Sequence, residues 1–303
     1  MKSKEYIDMC LNLEKMAGMI KDVWSSKEYK NGVRLQAYLE LLKEGKVLEI
    51  VKRLTNNTAS LNGLLKAKDF QFDNSPDRFQ SNERIAVYTA LFGKYDVVAA
   101  PMVYPDNIDY YLITDNEMDN TSGWKQINPE KYFPSENMSN IEKNRFFKMM
   151  PHLIFPEYKY SIYVDSNVVI VSDLTPMVNA IAKMPIAMFK HKNRDCVYEE
   201  AEACIKKKKD SRENLERHIQ HLKKNGVPKH AGLLEATIIV REHHAALCKT
   251  LMEQWWKEFN EFSKRDQLSL RDVLWNNNID LDEVGVLGNN LFRCNKFLIN
   301  KHL

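Results

Sequence analysis

From residue 85 onward, short apolar runs alternate with segments of helical periodicity, and this alternation constrains the fold more than any other feature of the sequence. A short apolar run between turn signals predicts a buried strand, whereas apolar residues at every third or fourth position predict an amphipathic helix. Alternating strands and helices are typical of an α/β domain with a mainly parallel sheet. The predicted strands are Ile85–Phe92, Tyr110–Thr114, Ser161–Asp165, Val168–Val171, Pro185–Phe189 and Ala236–Val240, and the predicted helices are 142–150, 196–224, 243–262 and 266–275.

Residues 1–80 have a different pattern. Apolar residues such as Ile7, Leu11 and Ile20 recur at near-helical spacing, which predicts two or three amphipathic helices, followed by a polar linker around 73–83. We therefore divide the chain into a helical N-terminal region, 1–80, and an α/β domain, 81–303. The N-terminal helices are expected to pack on the α/β domain or to join two copies of the chain in a homodimer.

The composition excludes several classes of function. The 44 Lys and Arg residues nearly balance 41 Asp and Glu residues, so the net charge of +3 gives no global field that would attract nucleic acid. The chain has neither a G-x-x-x-x-G-K nor a G-x-G-x-x-G motif, which removes the main support for P-loop and dinucleotide-binding folds. No apolar run reaches the roughly 20 residues of a transmembrane helix. The five cysteines form no C-x-x-C pair and favour a reducing, cytoplasmic location.

A carboxylate and an amide follow one predicted strand, at Asp165 and Asn167. Ligands of α/β sheets bind at the carboxyl ends of the strands. In an extended chain, side chains two residues apart point the same way. Both oxygens could thus bind one Mg²⁺ or Mn²⁺, and substrate phosphates would complete the coordination shell of that cation. The alternative is an Asx turn that ends the strand, and the three residues alone favour the turn.

Two cations lie three residues apart on the predicted helix 142–150. Arg145 and Lys148 share one helix face and could together bind a diphosphate, Arg through its planar fork and Lys as a point charge. The alternative is a solvated basic face with Phe146 and Phe147 in the core.

A carboxylate and an amide also begin the predicted helix 266–275. The Ser263-x-x-Asp266 spacing resembles a helix-capping signature, which would fully explain Asp266. It does not explain Gln267, and the pair would also suit the binding of sugar hydroxyls. His191 follows the predicted strand Pro185–Phe189, where it could contact a ligand.

Taken together and in this order, several segments resemble a glycosyltransferase family known as domain of unknown function 616. The resemblance covers about residues 84–275 and is carried by Ile85–Gly93 with Tyr95 and Asp96, Tyr110–Asp115, Arg145–Lys148, Tyr163–Asn167, His191–Glu202, Glu235–His243 and Trp255–Ser269. It implies a GT-A-like fold that binds a nucleotide-diphospho-sugar and a metal-binding Asp-x-Asp motif at a strand end. Asp165-Ser166-Asn167 occupies that position, with Asn in place of the second Asp.

The same resemblance implies roles for further residues. The nucleotide would contact the first two strand ends and the loop at His191; the residues concerned are Thr89, Phe92, Tyr95, Asp115 and His191. The layout is also similar to the retaining family-eight glycosyltransferases, in which an Asp-Gln pair lies beside the donor sugar; Asp266-Gln267 matches it. Those enzymes carry a late His metal ligand, for which His302 is the candidate.

We thus predict a glycosyltransferase that moves a sugar from a nucleotide-diphospho-sugar, with UDP-sugar preferred, to a glycan, lipid or protein acceptor. Mn²⁺ or Mg²⁺, with Arg145 and Lys148, would stabilise the leaving diphosphate. An inverting enzyme needs a carboxylate base, Glu235 or Asp266; a retaining one needs a polar group near the anomeric carbon, such as Gln267, and retention is preferred.

Two alternatives remain open. One is a metal-dependent hydrolase of lipid or amide bonds, with His191, Asp165 and Glu235 as ligands. The other is an inactive sugar-nucleotide-binding scaffold.

Overall fold

The computed structural model of the protein describes residues 2–26, 28–30, 83–93, 96–116, 123–181 and 183–300. The strands are β1 (Ile85–Leu91), β2 (Ile108–Thr114), β3 (Lys125–Ile127), β4 (Tyr160–Val164), β5 (Val168–Ile170), β6 (Ile186–Lys190), β7 (Leu234–Arg241) and β8 (Phe297–Ile299). The helices are α1 (Lys4–Ser25), α2 (Asn140–Met149), α3 (Thr175–Val178), α4 (Val197–Lys206), α5 (Arg212–Lys224), α6 (Ala246–Glu261), α7 (Asp266–Asn276) and α8 (Leu281–Val284). In the part of the chain described, no helix has the length and apolar character needed to cross a bilayer.

Six strands form the central sheet, in the order β3-β2-β1-β4-β7-β6. The pairs β1–β2, β1–β4 and β2–β3 are parallel, whereas β7 runs antiparallel to both β4 and β6. Because β7 is reversed, its first residues lie at the edge of the sheet where the parallel strands end. The predicted α/β fold with a mainly parallel sheet is confirmed.

Helices cover both faces of this sheet. Every residue of β1 is buried, as expected for a parallel strand packed on both sides. Its Tyr88 faces a cluster that includes Phe147 of α2 and Trp255 of α6. Its Val87 faces the opposite cluster, which includes Met177 of α3. This two-sided packing holds the strand ends in fixed positions, which a site at the sheet edge requires.

A second, two-stranded sheet pairs β5 with β8 and supports the N-terminal helix. Glu14 of α1 accepts hydrogen bonds from Lys296 Nζ, at 2.6 Å, and from Ser172 Oγ, at 2.7 Å. Lys2 forms an ion pair with the buried Asp173. Helix α1 therefore packs on the α/β part of the chain. The other helices expected within 1–80 fall in residues 31–82, outside the described residues.

The single helix predicted over 196–224 is wrong, because the chain forms two helices there. Helix α4 ends at Lys206, and Lys208 has a φ of 51°, the left-handed conformation that often follows a helix end. The Ser211 side chain then accepts a hydrogen bond from the Asn214 amide and caps α5. The prediction followed the apolar spacing and missed this stop and start signal.

Candidate active site

A cavity of about 590 Å³ lies at the edge of the sheet where β1 and β4 end and β7 begins. This is the edge at which α/β folds bind their ligands, and the volume is in the range of ligand-binding sites. Seven of the residues predicted from the sequence line it: Phe92, Arg145, Lys148, Asp165, Glu235, Asp266 and Gln267.

Helix α2 carries two of these residues, and its start is fixed by a capping box. The Ser139 side chain accepts from the Glu142 amide, and the Glu142 side chain accepts from Ser139 in return. Arg145 Nε then lies 3.0 Å from Asp266 Oδ2. Lys148 Nζ lies 2.8 Å from the same oxygen, and the Lys148 side chain is only 1% exposed. The alternative of a solvated basic face is therefore wrong.

The far end of α2 is held by a buried arginine of β7. Arg241 donates a hydrogen bond to the Lys148 carbonyl at 2.7 Å, and it also donates to the hydroxyl of Tyr88. That hydroxyl in turn donates to the Phe147 carbonyl at 3.1 Å. These contacts fix the backbone of Lys148 and so the position of its ammonium group in the cavity wall.

Asp266 is the first residue of α7 and is an ion-pair partner, not a helix cap. Helix α7 has Arg265 at its N-cap with no side-chain capping bond, and Ser263 Oγ pairs with His218 Nδ1 at 2.7 Å, so the capping signature does not form. Burial by itself would raise the pKa of Asp266, but the charges of Arg145, Lys148 and Arg265 outweigh burial and hold it well below its ordinary value. Asp266 is therefore ionised and a weak base.

Glu235 and Gln267 meet on the cavity wall formed by β7 and α7. Glu235 Oε1 accepts from Thr237 Oγ1 at 3.1 Å and from Gln267 Nε2 at 3.4 Å. Burial raises the pKa of Glu235 above its ordinary value. The side-chain oxygen of Gln267 accepts no hydrogen bond from any residue that the structure describes. The site thus offers one carboxylate tuned toward proton transfer and one amide oxygen available to a ligand.

The predicted pairing of Asp165 with Asn167 is wrong. The chain turns after β4, with the Val168 amide donating to the Asp165 carbonyl at 3.0 Å, so the two side chains do not point the same way. Asn167 Nδ2 instead donates to the Asn300 carbonyl at 2.8 Å, next to β8. The two-residue rule applies only to an extended chain, and the strand has already ended.

Two predicted nucleotide contacts, Thr89 and Asp115, lie outside the cavity lining. Thr89 is fully buried within β1, because the strand is covered on both faces. Asp115 forms an ion pair with Lys143, at 3.2 Å, beyond the end of β2. Tyr95 and His302 lie outside the described residues.

His191 lies behind the cavity wall and does not line it. Its Nδ1 accepts the Arg194 amide hydrogen at 3.0 Å, and its Nε2 lies 3.9 Å from Glu235 Oε2. Burial, with the charge of Arg194 adding to it, lowers the pKa of His191 to about 4. At neutral pH the ring is uncharged, so it supports Glu235 by packing and not by an ion pair.

Several polar residues that sequence analysis missed complete the cavity. Arg265 Nε is buried and has no hydrogen-bond partner among the described residues, which suits an anionic ligand. The missed lining residues are Asp96, Asn144, Ser166, Lys209, Thr237, Lys264 and Arg265. Ser166, Arg265 and Lys264 adjoin predicted residues in sequence and could have been found that way. Lys209 could not, because it lies in the unpredicted break between α4 and α5.

A single carboxylate of the strand-end motif, Asp165, is available to a cation in the cavity. Its Oδ1 lies 3.4 Å from Lys148 Nζ, and the neighbouring Ser166 hydroxyl donates to Asp96, which also lines the cavity. Mg²⁺ is commonly held by one or two carboxylates together with substrate phosphates. The donor set therefore fits a cation that arrives with a phosphorylated substrate.

A mainly parallel sheet with a polar cavity at its carboxyl edge is the architecture of an α/β enzyme. Residues 65–296 match the family described as TOD1/MUCI70, glycosyltransferase-like domain, and the chain belongs to this family. The predicted membership of a glycosyltransferase-like family is confirmed. The match begins at residue 65, whereas the sequence-based boundary of the α/β domain is residue 81.

The relatives are distant. The probable hexosyltransferase MUCI70 of Arabidopsis thaliana is 23% identical over 214 residues, which cover 62% of this chain and 37% of that protein. The chain thus spans well under half of that relative. Among solved structures, the bifunctional glycosyltransferase WbbM has a TM-score of 0.44 at 11% identity, covering 65% of this chain and 38% of that one. Mouse xyloside xylosyltransferase 1 has a TM-score of 0.38 at 10% identity, covering 67% and 83%.

Proposed function

We propose that this protein transfers a hexose from a nucleotide-diphospho-hexose, with UDP-hexose as donor, to a glycan, lipid or protein acceptor. The observation that carries the proposal is the convergence, in one cavity, of the buried Lys148 and the partly exposed Arg145 with the carboxylate of Glu235 and the amide of Gln267. The name of the plant relative, a probable hexosyltransferase, supports it. The GT-A-like arrangement and the resemblance to domain of unknown function 616 are also part of this proposal.

The cation pair would hold the diphosphate. Arg145 offers a planar fork of N–H donors, and Lys148 offers a point charge already fixed by its backbone contacts. As the glycosidic bond breaks, negative charge grows on the leaving diphosphate, and donors fixed beforehand stabilise that charge most effectively. Asp266 keeps both cations in place before the donor arrives.

Asp165 would hold Mn²⁺ or Mg²⁺ together with the diphosphate oxygens. When bound, the cation would supply Lewis-acid stabilisation of the leaving group. Asn167 is not proposed as a ligand, because it does not line the cavity and its Nδ2 donates to the Asn300 carbonyl. His302 stays a proposed ligand.

The proposal includes retention of the anomeric configuration. The free amide oxygen of Gln267 would face the anomeric carbon, where it stabilises positive charge. Glu235, with its raised pKa, would exchange the proton of the acceptor hydroxyl. Glu235 is proposed for that role in preference to Asp266, because the neighbouring cations hold the pKa of Asp266 below its ordinary value.

The hydrolase alternative loses its structural basis. It required His191, Asp165 and Glu235 to share a metal, but within the described residues no group of three close metal-ligating side chains contains any of them. The scaffold alternative would bind the donor without turning it over, so an assay of donor turnover separates it from the proposal.

Two further parts of the proposal concern the whole chain. A cytoplasmic location is supported by five free cysteines, since disulfides are rare in that compartment.

A homodimer through the N-terminal region is supported by exposed apolar side chains on α1, including Met16, Met19 and Val23.

UDP or a UDP-hexose is expected to stabilise the folded protein, and Mn²⁺ to increase the effect. Ligand at 100 times its Kd adds about 2.7 kcal/mol to the free energy of unfolding. The measurement is a thermal-shift series with nucleotides, with and without Mn²⁺. Arg145→Met should reduce the shift and the exposed Lys207→Met should not. Unchanged melting temperatures with every nucleotide diphosphate would contradict the donor assignment.

The Asn167→Asp variant is expected to be less stable and to bind Mn²⁺ no more tightly than the wild type. The new carboxylate would face the Asn300 carbonyl in place of a donor, and an unpaired buried acceptor costs about 1–3 kcal/mol. Chemical denaturation and Mn²⁺ titration with UDP present measure both effects. Asp165→Asn is the matched variant and should weaken Mn²⁺ binding. Tighter Mn²⁺ binding by Asn167→Asp would contradict this expectation and show that residue 167 can serve as the second ligand of the motif.

A further inference from the structure

A second cluster of potential metal ligands lies where α5, α6 and α7 meet, among residues that do not line the active-site cavity. His221 comes from α5, Glu258 from α6 and Asp272 from α7, and their ligand atoms all lie within 4.8 Å of one another. His221 Nε2 is 3.0 Å from Asp272 Oδ2 and 3.3 Å from Glu258 Oε1. A second histidine of α5, His218, places its Nε2 3.6 Å from the same Glu258 oxygen.

Two buried polar atoms of the cluster have no hydrogen-bond partner among the described residues. His218 is fully buried, its Nδ1 pairs with Ser263 Oγ, and its Nε2 has no such partner. The same holds for Glu258 Oε1. The Asn225 amide nitrogen lies 3.1 Å from both oxygens of Asp272 and 3.0 Å from His221 Nε2.

The basic side chains beside these two carboxylates are histidines. Within the residues that the structure describes, no Lys or Arg nitrogen lies at ion-pairing distance from Glu258 or Asp272. Buried carboxylates need a cationic partner, and a metal ion would supply that charge once its ligands release their protons.

The distances between these ligand atoms suit a small tetrahedral ion. Zn²⁺ binds His nitrogen and carboxylate oxygen at about 2.0–2.2 Å, which sets neighbouring ligand atoms roughly 3.3–3.5 Å apart. The three separations above, between 3.0 and 3.6 Å, are close to that value. The imidazole rings are also oriented in advance, because His221 and His218 both stack on Phe262.

We propose that His221, Glu258 and Asp272 bind one Zn²⁺. Asn225 would then donate to Asp272 alone. Because the three ligands come from three different helices, the ion would cross-link α5, α6 and α7. Since Asp272 lies on the helix that begins with Asp266 and Gln267, the ion would fix that helix against α5 and α6.

The test uses the full chain, stripped with a chelator, then given one equivalent of Zn²⁺ and passed through gel filtration. We expect one zinc per chain by elemental mass spectrometry, a higher melting temperature, and, with Co²⁺ in place of Zn²⁺, the visible absorption of a tetrahedral site. The His221→Asn and Glu258→Gln variants should bind Zn²⁺ at least about 10-fold more weakly, the loss that follows removal of even an outer-shell partner. Wild-type protein that retains no zinc would overturn the proposal.

Two controls separate this site from others. Asp165→Asn removes the proposed cation ligand of the cavity, and His230→Asn removes a histidine from the other, more exposed ligand group with Cys196 and Glu199. Both variants should keep the zinc, and loss of zinc in either would place it elsewhere. Glu258→Gln also relieves the repulsion with Asp272, so without metal it should melt no lower than the wild type. If His221→Asn or Glu258→Gln melted lower both with and without zinc but still retained the ion, the cluster would be a hydrogen-bonded structural feature and not a zinc site.

Discussion

The Asp266→Asn variant is expected to lose about 100-fold or more in donor turnover and to be clearly less stable. Lys148 is almost fully buried, and Asp266 is its nearer carboxylate, at 2.8 Å against 3.4 Å for Asp165. Removing one partner of a buried ion pair costs about 3–5 kcal/mol, whereas loss of a capping role would cost about 1 kcal/mol or less. The catalytic loss follows because preorganised charges near a reacting centre are worth about 100-fold or more in rate. Release of UDP from the donor and chemical denaturation measure the two effects.

A surface ion pair provides the matched control. Asp282 pairs with Lys190 at 2.7 Å, but its side chain is 74% exposed, so Asp282→Asn should cost about 1 kcal/mol or less. Combining Asp266→Asn with Lys148→Met should cost less stability than the sum of the single changes, since each removes the other's unpaired charge. Near-normal turnover by folded Asp266→Asn would show that the residue acts on stability alone.

Glu235→Gln is expected to lose about 100-fold or more in turnover while gaining stability at neutral pH. The amide cannot exchange the acceptor proton, and general acid–base catalysis is typically worth about 100-fold to 10,000-fold. The Gln side chain can still accept the Thr237 hydrogen bond, so the packing of the site is kept.

The gain in stability has a defined pH dependence. The pKa of Glu235 is raised above its ordinary value of 4.5, so its contribution to stability is fully present below pH 4.5 and is lost as the pH rises through the folded-state pKa. Gln does not titrate. The melting temperatures of variant and wild type should therefore agree near pH 4 and diverge as the pH increases. The exposed Glu202→Gln is the control, and a variant that melts lower than the wild type at pH 8 would contradict the burial of a charge at Glu235.

The fold was predictable from the sequence because its signals are local. Strand β1 is an almost continuous apolar run, and the capping box of α2 is formed by two residues three positions apart, Ser139 and Glu142. The reversed direction of β7 was not predictable, since the direction of a strand depends on which neighbour it joins. That reversal is what brings Glu235 to the edge where β1 and β4 end.

The residues of the site were predictable only where a local sequence signal places them. Arg145 and Lys148 were found because residues three apart share one face of a helix. Asp266 and Gln267 were found through a capping-like spacing and a family resemblance, not through helical spacing. Asn167 was misplaced because the prediction assumed an extended chain as far as residue 167, whereas the strand ends at Val164. The ion pair of Asp266 with Lys148 joins residues 118 positions apart, and no local sequence pattern predicts such a contact.

The pairing of β5 with β8 has a consequence for how the molecule acquires its structure. The turn that carries Asp165 is bonded, through Asn167, to a residue 133 positions later, and α1 is bonded to a residue 282 positions later. Contacts this distant in sequence close large loops, and such closure slows folding. During synthesis, the turn beside the cavity and the partner surface of α1 stay incomplete until residues 296–300 leave the ribosome. The turn at one side of the cavity therefore reaches its final structure late, after most residues of the cavity wall have been synthesised.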